Sequence, residues 1–444
     1  MGVAGRQMHL GVFVLGTGNH IAGWRQPGAF TTHMDLSSMQ QIARIAERGK
    51  FDVVFISDSM VMDPTDHPSF MCRFEPTSLI TIMSACTKYV GLGATVSTSF
   101  TEPFNVARLF SSIDHISGGR AAWNVVTSSN ARVGMNFNLD DQLDHELRYE
   151  RANEFVDVVR GLWDGWDDGA IIADKATGQY IDASKVRPLN HKGRFFQVRG
   201  PLNMARCPQG HPVIIQAGGS PSGLELAART ADVVFSVVQE LEPAKAAYAN
   251  LKGRMAKYGR DPATLSVLPG VMPIIGRSDA EARETLAKLQ SWVNTSNAAT
   301  LVASRIGYDV SGHPLDAPPP PPPVSQGGRT FHSVLYEMAK RENMTLRDLY
   351  NLTAAARGHW VICGTPQRIA DTLEEWFTEG AADGYNILPA WFPGAFDEFV
   401  DLVVPELQRR SLFRKDYEGT TLRDHLGLVR VPAPAAPREA VGAE

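Results

Sequence analysis

The chain has 444 residues, 43% of them hydrophobic and 20% charged, enough for one large domain or two ordinary ones. Its net charge of −5 provides no bulk positive field for nucleic acid or an anionic membrane, and no apolar run approaches the ~20 residues that span a bilayer. Four scattered cysteines without a CxxC pair argue against a disulfide framework or a metal knuckle, and no signal-peptide core opens the chain, so a cytoplasmic protein is expected.

His9 to Leu15 is the first expected strand, followed by a polar loop carrying His20, Trp24 and Arg25. Helical spacing of Ile42, Ala43, Ile45 and Ala46 predicts a helix over 36–48, and Phe51 to Ile56 a second strand with Asp58 just beyond it. A helix over 75–87 leads to a third strand, Val90 to Val96, with Thr95 near its end. The helix at 104–116 and the turn Ser117-Gly118-Gly119-Arg120 lead to a fourth strand, Ala121 to Thr127, which contains Asn124. A charged helix covers about 144–163, and 166–210 reads as an irregular excursion. The fifth strand is Pro212 to Gln216, the sixth Ala231 to Val237 and the seventh Leu265 to Ile275, with helices at 224–230, 242–258 and about 279–293. A long insertion, about 294–358, holds the run Pro318 to Pro323, a stiff segment that cannot sit inside a barrel. Then come strand-like Trp360 to Cys363, a helix over 365–378, the eighth strand Tyr385 to Ala390 and a helix over 396–410. The Pro/Ala-rich tail, 429–444, is expected to be disordered.

Eight strands alternating with helices require parallel pairing, and the count favours a (β/α)8 barrel over an open doubly wound sheet. Residues 1–428 then form one domain, whose active site lies at the C-terminal ends of the strands. Asp58, Thr95, Asn124 and Gly218-Gly219-Ser220 all fall at or near those ends. The last three follow a buried strand, and Ser220 suits an N-cap with Pro221 in the first helical turn. Free N–H groups and the helix dipole there favour an anion such as a phosphate, although an ordinary turn explains the same residues. His145 and Tyr149, four apart on one helix, make either a second wall of that pocket or a solvated face. Asn124 inside an apolar strand needs hydrogen-bond partners, structural or belonging to a ligand. His20 and His332 are expected in loops, where functional residues concentrate, and His359 reads equally as a packed structural residue. There is no HxH, HExxH, GxSxG, GxxxxGK[ST] or GxGxxG pattern, which leaves a metal-free barrel that binds a phosphorylated cofactor.

Several stretches resemble the bacterial-luciferase-like flavin monooxygenases, in the branch of nitrilotriacetate, EDTA and dibenzothiophene-sulfone monooxygenases. They include Phe51-Asp52-Val53-Val54-Phe55-Ile56-Ser57-Asp58, Trp123-Asn124-Val125-Val126-Thr127-Ser128 and Arg148-Tyr149-Glu150-Arg151-Ala152-Asn153-Glu154-Phe155. Gly364-Thr365-Pro366 and Leu422-Arg423-Asp424-His425-Leu426 extend the likeness over about 8–428. The resemblance implies a two-component enzyme that takes reduced FMN from a separate NAD(P)H-dependent flavin reductase. Dioxygen adds at the flavin 4a carbon, and the peroxide oxidises a small organic sulfur, amine or carbon substrate. It also implies Asp58, Thr95, His145, Tyr149, Gly219 and Ser220 as FMN contacts, with His20, Asn124 and His332 as catalytic candidates and Phe13 and Val237 as apolar lining. The insertion after strand seven matches the family's lid in position, and a homodimer or homotetramer is implied. A deazaflavin-dependent oxidoreductase of the same superfamily and a non-catalytic flavin-binding protein are the alternatives.

Overall fold

In the first strand, His9–Val14, side chains alternate between two environments: Leu10, Val12 and Val14 pack outward under helices, while Phe13 faces a separate inner cluster. The same division recurs along strands Val53–Ile56, Gly91–Ser97, Ala121–Val126, Val213–Gln216, Val233–Ser236, Ser266–Ile275 and Gly384–Ile387. In the computed structural model these eight pair in parallel in chain order and close on themselves, giving the expected (β/α)8 barrel. The structure describes residues 5–62, 68, 71–128, 130–140, 143–293, 302–303, 306, 308–310, 312–321 and 330–434, the side chains of 131 and 330–335 excepted.

A ninth parallel strand, Trp360–Gly364, departs from the expected count. It pairs with the outer half of the seventh, from Trp360 beside Val271 to Gly364 beside Ile275, beyond the stretch that pairs with the sixth. The insertion before it is partly regular, with helices Thr330–Arg341 and Leu346–Ala356; the second starts in a Thr345–Asp348 capping box. Only the first prolines of the run, up to Pro321, are described, and Tyr308 donates to the Pro320 carbonyl. The excursion at 166–210 contributes one short antiparallel pair, His191–Lys192 with Gln197–Val198. The first residues of the expected tail are held: Arg430 grips Asp168 with two N–H groups, and the Val431 N–H donates to the Gln209 carbonyl. Residues 435–444 lie outside the described residues.

The N-terminal foot of the barrel is tied by three aspartates, each directly before an even-numbered strand. Asp52 accepts from the Leu10 N–H at 2.7 Å, Asp232 from Ile214 at 2.9 Å and Asp383 from Val267 at 3.0 Å, each joining its strand to the one before. Each also meets a cation: Arg414 at Asp52, Arg423 at Asp232, and Arg6 with Lys252 at Asp383. A buried carboxylate is tolerated only when so paired and hydrogen-bonded. Before the fourth strand the same position is Arg120, whose guanidinium is engaged by the carbonyls of Ser84, Thr87, Val90 and Ser117 and by the Thr87 hydroxyl. There the Ala121 N–H donates instead to Asp114.

Candidate active site

The lumen is filled unevenly. Phe13, Phe55 and Phe235, from strands one, two and six, pack ring against ring with centroids 5.3–5.8 Å apart. Between strands two and six, strands three and four offer small or polar residues: Gly93 stands in register with Phe55, and Thr95 with Asn124. Asn124 Nδ2 donates to Thr95 Oγ1 at 2.8 Å, and Thr95 donates to the Ile56 carbonyl at 2.9 Å. That chain leaves Asn124 Oδ1 buried with no hydrogen-bond partner among the described residues. Asn19 and Asn386 have a buried amide oxygen in the same condition.

Above this side opens a cavity of about 360 Å³, lined by Asp58, Thr95, Ser97, Val125, Ser128, Tyr149, Gln216 and Gly218, among others. Asp58 accepts from the Ser59 N–H at 2.8 Å and lies 3.8 Å from the Arg73 guanidinium. Burial pushes its carboxyl above the usual range, against the opposing pull of Arg73.

At one corner of the cavity a glycine loop meets the start of a helix. Ser220 caps helix Pro221–Thr230, its hydroxyl accepting from the Gly223 N–H at 3.2 Å. Gly218 and Gly223 pack closely on the Tyr149 hydroxyl and on each other: a Cβ on either would sit 3.0–3.1 Å from the hydroxyl and from the other glycine's backbone, tighter than an ordinary contact. Gly219 faces open space. Tyr149 comes from helix His145–Trp163, which Asp144 caps through the N–H groups of Glu146 and Leu147. The His145 ring lies 5.0 Å from that of Tyr149, and its Nδ1 is 2.8 Å from Glu146 Oε1, which leaves Nε2 as the ring nitrogen for another partner. Glu146 also accepts from Ser222 at 2.8 Å, so the serine and the histidine hold its carboxyl below the usual range.

Other expected site residues lie elsewhere. His20 is fully buried in the loop after strand one; its Nδ1 accepts from the Ala22 N–H at 3.1 Å, so the proton sits on Nε2, which has no partner among the described residues. Burial lowers its pKa to about 3, so the ring is neutral at physiological pH. His332 belongs to helix Thr330–Arg341 instead of a loop, and its side chain lies outside the described residues. Val237 is 41% exposed because the sixth strand stops at Ser236, so it does not line an apolar wall. His359 is buried and stacks on Phe235, centroids 4.8 Å apart and rings 9° from parallel. It fits there because Gly270 has no side chain: a Cβ would sit 2.4 Å from its Nδ1.

Sequence reasoning missed Ser97, Ser128 and Gln216 as cavity lining, although two-residue alternation puts Ser97 on the face of Thr95. It also missed Phe55, Phe235 and Arg357, whose proximity depends on long-range packing.

The sequence matches the family model described as luciferase-like monooxygenase over residues 8–383. It is similar to N-acetyl-S-(2-succino)cysteine monooxygenase of Bacillus subtilis (strain 168), 46% identical over 95% of this chain and 97% of that protein. It is 44% identical to nitrilotriacetate monooxygenase component A of Aminobacter aminovorans, over 96% and 98% of the two chains. The solved structure of EDTA monooxygenase from Chelativorans sp. BNC1 superposes with a TM-score of 0.82 at 31% identity, covering 97% of this chain and 100% of that one.

Proposed function

This chain belongs to the luciferase-like monooxygenase family, and from that premise we propose that it binds reduced FMN in the 360 Å³ cavity and oxidises a small organic molecule. The observation that carries the reading is the anion corner: a serine-capped helix start, two closely packed glycines and the Tyr149 hydroxyl meet at one place. A flavin phosphate fits that donor set, and the cavity beside Thr95 and Val125 gives room for a flat ring system. The orphaned Asn124 Oδ1 supplies an acceptor for a ring N–H.

Reduced FMN, when bound, supplies the electrons and the centre at which dioxygen is activated. The protein's own work is positional. Tyr149, Gly219, Ser220 and His145 hold the phosphate end. Thr95 fixes Asn124 through its hydrogen bond, and Asp58 stands at the cavity rim. The three phenylalanines close the lumen below and keep water from the reacting end. Neutral His20 offers a single N–H and acts as a hydrogen-bond donor. Because one relative is named as component A, a separate NAD(P)H-dependent flavin reductase is the proposed source of the reduced flavin. No described helix is long and apolar enough to cross a membrane.

Anaerobic titration with reduced FMN, followed by mixing with oxygenated buffer, tests the reading. Wild type should bind reduced FMN, and Ser220→Ala and Tyr149→Phe should each bind roughly tenfold more weakly, the effect of one lost charge-assisted hydrogen bond. Product should form from a thioether or tertiary-amine substrate only with FMN and oxygen. Tight binding of a deazaflavin in place of FMN would move the assignment to the deazaflavin reductases. Oxidation of bound flavin at the free-flavin rate with every substrate would leave a flavin-binding protein without catalysis.

A further inference from the structure

The insertion returns to the barrel through an unusual turn. Helix Leu346–Ala356 ends at Arg357, held at φ +57°, and Gly358 follows at φ +87°. The left-handed conformation at a helix C-cap is the place where glycine is cheapest, so glycine at 357 would suit the same backbone. Gln239, in the loop after the sixth strand, fixes the turn by donating to the Gly358 carbonyl at 2.7 Å. The turn delivers two side chains to the aromatic floor: His359 stacks on Phe235, and the half-buried Arg357 guanidinium lies 5.4 Å from the centroid of the Phe13 ring. The loop carrying His20 is tied to the same helix, the Ile21 N–H donating to the Ala354 carbonyl. A fixed cation thus stands on an apolar floor, on the side of the lumen away from the anion corner.

Resting on the FMN reading above, we infer that Arg357 is a specificity-determining residue that receives a carboxylate of the substrate, whose apolar body lies on Phe13, Phe55 and Phe235. The chemistry suits the arrangement. A guanidinium carries five coplanar N–H donors, so it can keep a contact within the protein and still grip a carboxylate with two parallel hydrogen bonds. Its charge does not depend on pH, and the ring beneath it replaces lost water by a cation–π contact. An ammonium at the same place would provide the charge without the fork.

The test uses isosteric pairs that differ in charge, phenylacetate against phenylacetamide and succinate against succinamide, with affinity read from the rise in Tm of the FMN-loaded protein. Wild type should bind each carboxylate ten- to a hundredfold more tightly than its amide. Arg357→Gly suits the left-handed turn, so it should fold, and it should abolish the preference. Arg357→Lys should restore only part of it. Equal binding of acid and amide by wild type, or a preference that survives in Arg357→Gly, overturns the proposal. Reduced FMN is titrated in parallel with all three proteins. Unchanged FMN affinity with a lost carboxylate preference supports the assignment to substrate. An FMN affinity that falls with Arg357→Gly assigns the arginine to the cofactor and overturns the proposal. Failure of wild type to bind FMN at all refutes the cofactor reading, while the acid–amide comparison, repeated without flavin, still decides the arginine.

Discussion

Asp52 and Asp58 stand at opposite ends of one four-residue strand, and the protein has moved their carboxyls in opposite directions. Asp52, at the foot, is fully buried. Burial pushes its carboxyl up, but Arg414 and His9 outweigh that and, with the Leu10 N–H, hold it below the usual range. Asp58, at the mouth, is also largely buried, and there burial prevails over Arg73. At the foot Asp52, Asp232 and Asp383 are each matched with a cation and an N–H group, while Asp114, hydrogen-bonded only by neutral donors, is pushed up by burial. The unmatched foot atoms among the described residues are nitrogens of Arg160, Arg206, Arg414 and His425. At the mouth, acceptors on Asn19 and Asn124 have no hydrogen-bond partner among the described residues. The difference lies in how the carboxyls are held: Asp52 has Arg414, His9 and an N–H donor beside it, whereas Asp58 has one guanidinium at 3.8 Å.

The largest effect expected from this contrast is at the foot. Asp52→Asn should lower unfolding stability by about 3–5 kcal/mol in a denaturant titration, because it leaves a cationic cluster without its anion. Its sign with pH follows: a carboxyl held low in the folded state stabilises above its unfolded pKa, and that contribution is lost as pH falls through the folded value. His20 should give the next effect. Its unfolded pKa is 6.5 and its folded pKa about 3, so the unfolded chain binds the proton first and stability falls below pH 6.5. At pH 5 the loss amounts to about 2 kcal/mol, which a His20→Gln variant should not show in thermal melts compared at pH 7 and 5. Asp58→Asn should do least to stability. A carboxyl raised in the folded state weakens it at neutral pH, so its removal leaves Tm unchanged or higher, while reduced-FMN affinity drops. A large fall in Tm for Asp58→Asn would erase the contrast between the two ends.

Much of the barrel was readable because its strands are short apolar runs spaced by helices with clear caps. The boundaries were less so. Phe51, Asp52, Ala231 and Asp232 read as strand, but the ladders begin at Val53 and Val233, the aspartates using their side chains to bridge to the preceding strand. The ninth strand was visible as Trp-Val-Ile-Cys, yet nothing local says that it pairs with the outer half of the seventh. The anion corner was legible because its pieces are local: a glycine turn, a capping serine, and a histidine and tyrosine four residues apart. Arg357 was not, since a cation at the end of a helix normally reads as a partner for the helix dipole. Only the packing of the insertion against strand one shows what it lies on.

The aspartates at the foot also divide the barrel into four modules of two neighbouring strands. Three modules carry the same aspartate bridge, at Asp52, Asp232 and Asp383; the module of strands three and four has Arg120 in that place. That same module is the one whose upper end has Gly93, Thr95 and Asn124 where modules one and three supply the three phenylalanines. The odd residue at the base thus coincides with small and polar residues above it, although strands seven and eight, with Gly270 beside Asn386, carry a similar pair above an intact aspartate bridge.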